Sequence, residues 1–354
     1  MSKLKIRKKL IKVTKKATYA LQEVACLSTT DKYASVSNSY IKKFIPILGF
    51  MSATSAVFAL TNAIAPRANA ANVKAVDTIV IVDESGSMAG EQAWLQQVIP
   101  SLESAFKTAN YGSGSDTNRY GLVGFGSGLN PGNLGRSLTA NGNLFFDASQ
   151  YSTASSSLRT SGSFEDGYSA IDFVLNNYNF RPGVVTNFIL VTDEDRDNGN
   201  NSLTSQNTLS NLQSQGILLN AVINARFRDG SNNTALGIDS KGNAYLTDGS
   251  GDVVKSTGGV AISGYGTTVN DYVNVALNTG GGAWNLNQLR QGGTVANSFT
   301  KGFIDLKVQE VVRTDNNPKP VPEPITILGS AMALGIGGYL KKVYSTKQKA
   351  NLKA

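Results

Sequence analysis

Three oxygen-bearing side chains, Asp83, Ser85 and Ser87, stand at alternate positions in IVDESGSM (81–88), directly after the apolar run TIVIV of residues 78–82. A fourth, Asp193, follows the apolar run NFILVT (187–192) just as abruptly. Acids and hydroxyls together make a hard, oxygen-only donor set, which suits Mg²⁺ or Mn²⁺ in octahedral geometry and offers soft metals nothing. With mostly neutral hydroxyls around it, such a cation keeps net positive charge and an open position, and it seeks an outside acidic oxygen. Taken alone, DESGS is also what a solvated strand-to-helix turn looks like. Its place at the end of an apolar strand and its pairing with Asp193 point to a metal.

Other chemistries are excluded or fit poorly. The chain has no histidine, which removes serine–histidine and cysteine–histidine catalysis and every imidazole metal site. DEDRDNG (193–199) resembles a calcium loop only in outline, because Gly199 falls one place late and Thr204 stands where the closing Glu belongs. GFGSG (124–128) reads as close packing at a strand exit, since the rest of a dinucleotide fingerprint is missing. Glu84, Glu165, Asp166 and Asp195 could serve a hydrolase as general acid and base. No spacing sets a pair of them across a cleft, and the chain is expected not to be an enzyme. Trp94 and Trp284 read as core.

The elements that must position these oxygens lie between Val76 and Val312. DTIVIV (77–82), YGLVGF (120–125), NFILVT (187–192) and GILLNAVIN (216–224) are short, β-branched and apolar at successive positions, as strands covered on both faces must be. Between them, residues 93–106 place Trp94, Leu95, Val98, Ile99, Leu102 and Phe106 on one helical stripe, with a kink expected at Pro100. Residues 168–177 form a second stripe, and Val295, Phe299, Phe303, Val308, Val311 and Val312 mark a long last helix. Strands alternating with helices predict an α/β fold, a doubly wound and mostly parallel sheet flanked by helices. LTANGNLFF (138–146) has an Asn-Gly turn and predicts an antiparallel edge strand. Residues 226–269, rich in Gly, Ser, Asn and Asp, read as a hairpin-like insertion on the sheet rim, turning around Ser240 to Asn243. In such a sheet the ligand site lies beyond the carboxyl ends of the parallel strands, where Asp83 and Asp193 would meet.

The ends read as addresses. The net charge of +8 is carried by them: residues 1–70 hold +10 and residues 341–354 hold +5, which leaves the body at −7. An acidic body predicts no nucleic-acid partner. Lys42-Lys43 leads into an apolar stretch closed by Ala68-Asn69-Ala70, the order of a secretory signal with a long basic leader, cut after Ala70. Cys26, the single cysteine, precedes that cut, so the exported chain would form no disulfide. At the other end a Pro-rich linker (313–324) precedes an apolar segment (325–340) and a basic tail (341–354). Sixteen residues span roughly 24 Å as a helix, short of a hydrocarbon core of about 30 Å.

Two resemblances attach to these motifs. Asp83-Glu84-Ser85-Gly86-Ser87, together with Asp193, resembles the metal-ion-dependent adhesion site of the von Willebrand factor A domain, over roughly Val76 to Val312 and including ALNTGGGAWNLNQL (276–289). The resemblance implies that Ser85 and Ser87 bind a Mg²⁺ or Mn²⁺ ion directly, that the aspartates bind it directly or through water, and that an acidic group of a ligand completes the shell. The family's remaining ligand is a Thr. Here RTSGSFEDGYSAI places Phe164 at that position, and Ser163 is the nearest substitute, with Thr160 and Ser161 behind it. Val321-Pro322-Glu323-Pro324, a short apolar helix and a basic tail resemble the PEP-CTERM sorting signal. That implies an exosortase-type sorting enzyme as a partner and contact with the membrane through the C-terminal helix. The expected function is a surface-sorted binding module that contacts an acidic protein or polysaccharide through its cation. The alternative is a structural protein of an extracellular matrix whose ion only stabilises the fold.

Overall fold

The computed structural model describes residues 74–127 and 135–316. The signal segment with its cut at Ala70, the Pro322-Glu323-Pro324 motif, the apolar segment 325–340 and the basic tail lie outside the described residues. Within them no helix is long and apolar enough to cross a membrane.

The chain forms a nine-stranded sheet in the order β10-β9-β8-β12-β5-β4-β1-β2-β3. Its centre is β1 (Val76–Asp83), with β2 (Arg119–Phe125) on one side and β4 (Val185–Thr192) on the other, all parallel. Next to β4 comes β5 (Leu218–Ile223), then β12 (Gly282–Asn285), both parallel to it. All eight residues of β1 and of β4 are buried, and this accounts for their unbroken apolar runs. In β1, Val76, Val80 and Val82 enter one core while Ile79 and Ile81 enter the other. Helices α1 (Ala89–Thr108), α2 (Tyr151–Ser155) and α7 (Gly293–Asn316) close the first core. Helices α3 (Gly167–Asn177), α4 (Ser205–Ser214) and α5 (Asn274–Thr279) close the second, and α6 (Leu286–Arg290) links β12 to α7. The doubly wound, mostly parallel architecture is the one expected.

Details depart from the sequence reading in informative ways. Helix α1 runs through Pro100 unbroken, with that residue on its exposed side. The last helix continues past Val312, where a linker was expected, to Asn316. Polar ties hold the extra turn: Arg313 donates to Gly280 O at 2.8 Å, and Tyr111 Oη donates to Asp315 at 2.9 Å. The Asn-Gly turn is present, with Asn141 at φ 52° and Gly142 at φ 80°. Preceding it, β3 (Arg136–Leu138) is the antiparallel edge strand beside β2. Residues 226–269 are more than a hairpin. Strands β8 (Gly237–Asp239), β9 (Asn243–Thr247) and β10 (Val253–Thr257) extend the main sheet beyond β12. Strands β6 (Ala225–Arg228), β7 (Thr234–Ala235) and β11 (Val260–Gly264) form a separate three-stranded sheet in the order β11-β6-β7.

Trp94 and Trp284 both pack edge-on against Phe299 and Phe303 of α7, at 5.4–5.7 Å between ring centroids. Trp284 is a core residue, as read, whereas Trp94 is half-buried and packs against the core from its edge. Helix α7 also carries a buried charge pair onto the sheet. Lys307 donates to Glu310 at 3.2 Å and to Asn187 of β4 at 2.8 Å, and Asn220 of β5 donates to Glu310 at 2.7 Å. Both charged groups are fully buried, and loss of water pushes the lysine pKa down and the glutamate pKa up. Removing one partner strands the other, so Lys307→Met should cost about 3–5 kcal/mol of stability. The double change Lys307→Met with Glu310→Leu should recover most of that loss, and urea unfolding of the three proteins measures it.

Candidate metal centre

β1 is the point at which the strand order reverses, since the chain leaves it for β2 on one side and returns as β4 on the other. Its last residue, Asp83, therefore opens into the crevice at the carboxyl edge of the sheet. One carboxylate oxygen of Asp83 accepts the Ser85 N–H at 2.7 Å, and the other accepts the Thr192 hydroxyl at 2.8 Å from the end of β4. The first bond folds the strand exit back on itself, and the second fastens β1 to β4 at the site.

Asp193, Ser87 and Ser85 form a chain of contacts beside it. Ser87 Oγ donates to Asp193 at 3.0 Å and lies 3.1 Å from Ser85 Oγ. Ser87 and Gly86 are exposed, whereas Asp83, Ser85 and Asp193 are buried, so the cluster opens to solvent over Ser87. Four of the five residues singled out from the sequence, Asp83, Ser85, Ser87 and Asp193, thus come together. Ser163 is exposed, and its backbone N–H donates to Gly126 O at 3.1 Å.

From that same loop a residue not assigned to the metal does enter. Asp83, Glu165 and Asp193 each present a carboxylate oxygen within 4.8 Å of the others. The Glu165 backbone is pinned from both sides: its N–H donates to the Asp197 carboxylate at 3.0 Å, and its carbonyl accepts the Asp197 N–H at 2.9 Å. The Phe164 ring packs beside Gly199, where a Cβ would come within 3.0 Å of it. This turns Phe164 away and Glu165 inward. Gly126 permits the approach. Its φ is +79°, and a Cβ there would lie 3.3 Å from both Asp83 Oδ1 and Glu165 Cγ.

The cluster is electrostatically unfinished. Glu165 Oε2 is buried without a hydrogen-bond partner. Burial first, and then the neighbouring Asp83 charge, push the Glu165 pKa far above the usual carboxylate range. Burial raises that of Asp83 as well. Burial and their mutual repulsion oppose full ionisation of the two carboxyls, and a cation between them would relieve both costs. A divalent cation fits this donor set of three carboxylates and two serine hydroxyls, in which every atom is a hard oxygen. Asp83, Glu165, Asp193, Ser85 and Ser87 would hold it.

Arg290 on α6 is the second contribution not legible in the sequence. Its guanidinium donates to Asp193 at 2.9 Å, to Glu91 at 2.7 Å and to Ser87 O at 3.1 Å. Four carboxylates, Asp83, Glu165, Asp193 and Glu91, surround the one guanidinium and the place a divalent cation would take, so the charges there do not sum to a net positive value. Glu165 adds a third carboxylate to a donor set that the sequence suggested was mostly neutral hydroxyls.

Of the other acids considered for hydrolysis, each has a structural contact. Glu84 is buried in an ion pair with Arg136 and accepts the Arg159 N–H at 2.8 Å. Asp166 caps α3 and pairs with Arg196 at 2.7 Å. Asp195 accepts the Thr267 N–H at 3.0 Å. Glu165 alone of the four reaches the cluster.

The family model for the von Willebrand factor type A domain matches residues 77–253. Similar solved structures include a von Willebrand factor type A protein from Catenulispora acidiphila, at 13% identity over 42% of this chain and 33% of that one, with a TM-score of 0.32. BatB from Bacteroides thetaiotaomicron is 12% identical over 68% of this chain and 99% of that one, with a TM-score of 0.37. Proximal thread matrix protein 1 from the mussel byssus, with a zinc-occupied MIDAS motif, is 19% identical over 42% and 37%, with a TM-score of 0.30. The chain spans about a third of the length of the first of these structures. No curated protein matches it. The strand order, the carboxylate cluster at its reversal and the match over half the sequence agree: the chain belongs to the von Willebrand factor type A domain family.

Proposed function

We propose that this protein is an exported, surface-sorted binding module whose Mg²⁺ or Mn²⁺ ion contributes to the capture of an acidic group on a protein or polysaccharide. The observation that carries the reading is the opening of the cluster over the exposed Ser87. An ion held only for stability needs no such mouth. Export and sorting rest on the sequence: a signal cut after Ala70 and a PEP-CTERM end at Pro322, Glu323 and Pro324, read by an exosortase-type enzyme with the C-terminal helix in the membrane. The buried Glu165 supports a second reading, a matrix protein with a structural ion, because an internal third carboxylate can stand where an outside one would otherwise bind.

Asp83→Ala should abolish Mg²⁺ and Mn²⁺ binding, measured by calorimetry, while leaving cooperative unfolding intact. The stabilisation by bound ion, about 2.7 kcal/mol at 100 times its dissociation constant, should vanish with it. If the variant loses the ion and keeps full capture of acidic ligands, the ion is structural and the second reading holds.

Because Asp83 and Glu165 have raised pKa values, binding of the ion must displace a proton. Ion affinity should therefore rise with pH through the neutral range. Glu165→Gln should flatten that dependence, and calorimetry in buffers of different ionisation enthalpy counts the proton released. For export, N-terminal sequencing of the mature protein should begin at Ala71. Replacing Pro322, Glu323 and Pro324 by Ala should leave a full-length form in the membrane fraction, and an unchanged mass distribution would return the segment to an ordinary anchor.

A further inference from the structure

Among the described residues five large apolar side chains stay exposed, and three of them, Val260 (51%), Ile262 (46%) and Tyr265 (52%), fall within six consecutive positions. Val260 and Ile262 lie on β11, the edge strand of the three-stranded sheet, and Tyr265 follows it. The pairing of β11 with β6 sorts the side chains. Ala261 lies opposite Phe227 and Gly264 opposite Ala225, on an inner face packed with Ile238 and Ala244. Val260 lies opposite Arg228 and Ser263 opposite Arg226, on the outer face. A bulge between Ala261 and Ser263 leaves Ile262 exposed.

That outer face carries unbalanced positive charge. Arg119, Arg136, Arg181, Arg196 and Arg290 each pair with a carboxylate, whereas among the described residues Arg226 and Arg228, two positions apart on β6, do not, and neither do Arg159 and Arg313 elsewhere in the chain. Arg228 bonds only the neutral side chain of Asn232. Two arginines without carboxylate partners, on one strand of an otherwise acidic body, are where an acidic partner gains Coulomb attraction. The segment after β11 is also tied to the loop that carries Asp193 of the metal centre. Beyond β11, Tyr265 N–H donates to Asn224 O at 3.0 Å, and Thr267 N–H donates at 3.0 Å to Asp195, two residues from Asp193.

We propose that the outer face of β6 and β11, with Tyr265 at its foot, binds an extended acidic polypeptide whose carboxylates meet Arg226 and Arg228 while its aliphatic side chains cover Val260 and Ile262. The proposal rests on the reading of the metal centre as a binding site and names the class of its ligand. A polypeptide is favoured over a polysaccharide for two reasons. The free edge of β11 offers backbone groups to an extended chain, and the aliphatic side chains beside the arginines match alternating residues rather than hydroxyl-rich sugars.

The probe is a fluorescein-labelled peptide of alternating glutamate and valine, with alginate as the polysaccharide comparator, titrated with the full chain in excess Mg²⁺ or EDTA. The double change Arg226→Ala with Arg228→Ala, which removes both ion-pair contacts, should weaken peptide binding about tenfold or more, a loss of about 1.4 kcal/mol or more, while Mg²⁺ affinity by calorimetry stays unchanged. Ile262→Asp should weaken it as well. Absence of peptide binding by the unaltered protein, or equal binding by the double variant, overturns the proposal. Alginate bound as tightly as the peptide, with the same loss in the double variant, overturns the assignment to a polypeptide. Asp83→Ala separates the two readings. Loss of Mg²⁺ with peptide affinity retained sinks the metal-dependent reading and leaves the surface standing. Loss of peptide binding in Asp83→Ala but not in the arginine variants sinks the surface alone.

Discussion

Three carboxyl groups brought within 4.8 Å at the end of the central strand are the constraint around which this edge of the protein is arranged. Left to themselves they repel, and burial makes the repulsion costlier. The surroundings answer with donors: a backbone N–H from Ser85, hydroxyls from Thr192 and Ser87, and the guanidinium of Arg290. Gly126 is there because a side chain would intrude between Asp83 and Glu165. Asp197 bonds the Glu165 backbone through both its carboxylate and its own N–H, so the third carboxylate is held in place by contacts to its main chain.

The same strand is anchored at its other end by a contrasting solution. Asp77 is buried but receives two arginines, Arg119 and Arg181, each at 2.6 Å. Burial would raise its pKa, yet hydrogen bonds from the two guanidiniums hold it below the usual value. One aspartate is thus paired fully within the protein, while the other, six residues on, is left for an ion to complete. A strand buried on both faces has only its two ends available for charge, and here those ends divide structure from chemistry.

Much of this was legible in the sequence. The continuous apolar runs of β1 and β4 could only be doubly covered strands, and residues directly after them had to share one sheet edge, so Asp83 and Asp193 were found together. Glu165 was not legible as a ligand, because which residue of 160–166 turns inward depends on Phe164 packing beside Gly199 and on Asp197 bonding the loop. Those contacts join segments more than thirty positions apart. Arg290 reaches Glu91 and Asp193 across still larger separations. The six strands of residues 225–264 were hidden by length: two to five residues of mixed polarity leave no clear period. The continuation of α7 past Val312 was masked by polar composition, which tertiary ties from Arg313 and Asp315 override.

The buried Lys307 and Glu310 give the last helix a property that an oily stripe would not. Apolar side chains exchange neighbours at little cost, so a helix seated on them alone can slide along its axis by a turn, about 5.4 Å, and find a similar fit. Here such a slip would carry an ammonium and a carboxylate away from Asn187 and Asn220 and set them against hydrocarbon. The helix therefore sits as a keyed bolt rather than a greased piston. A pull along its axis at Asn316 is resisted until the pair breaks, and the seat then yields all at once rather than by creep.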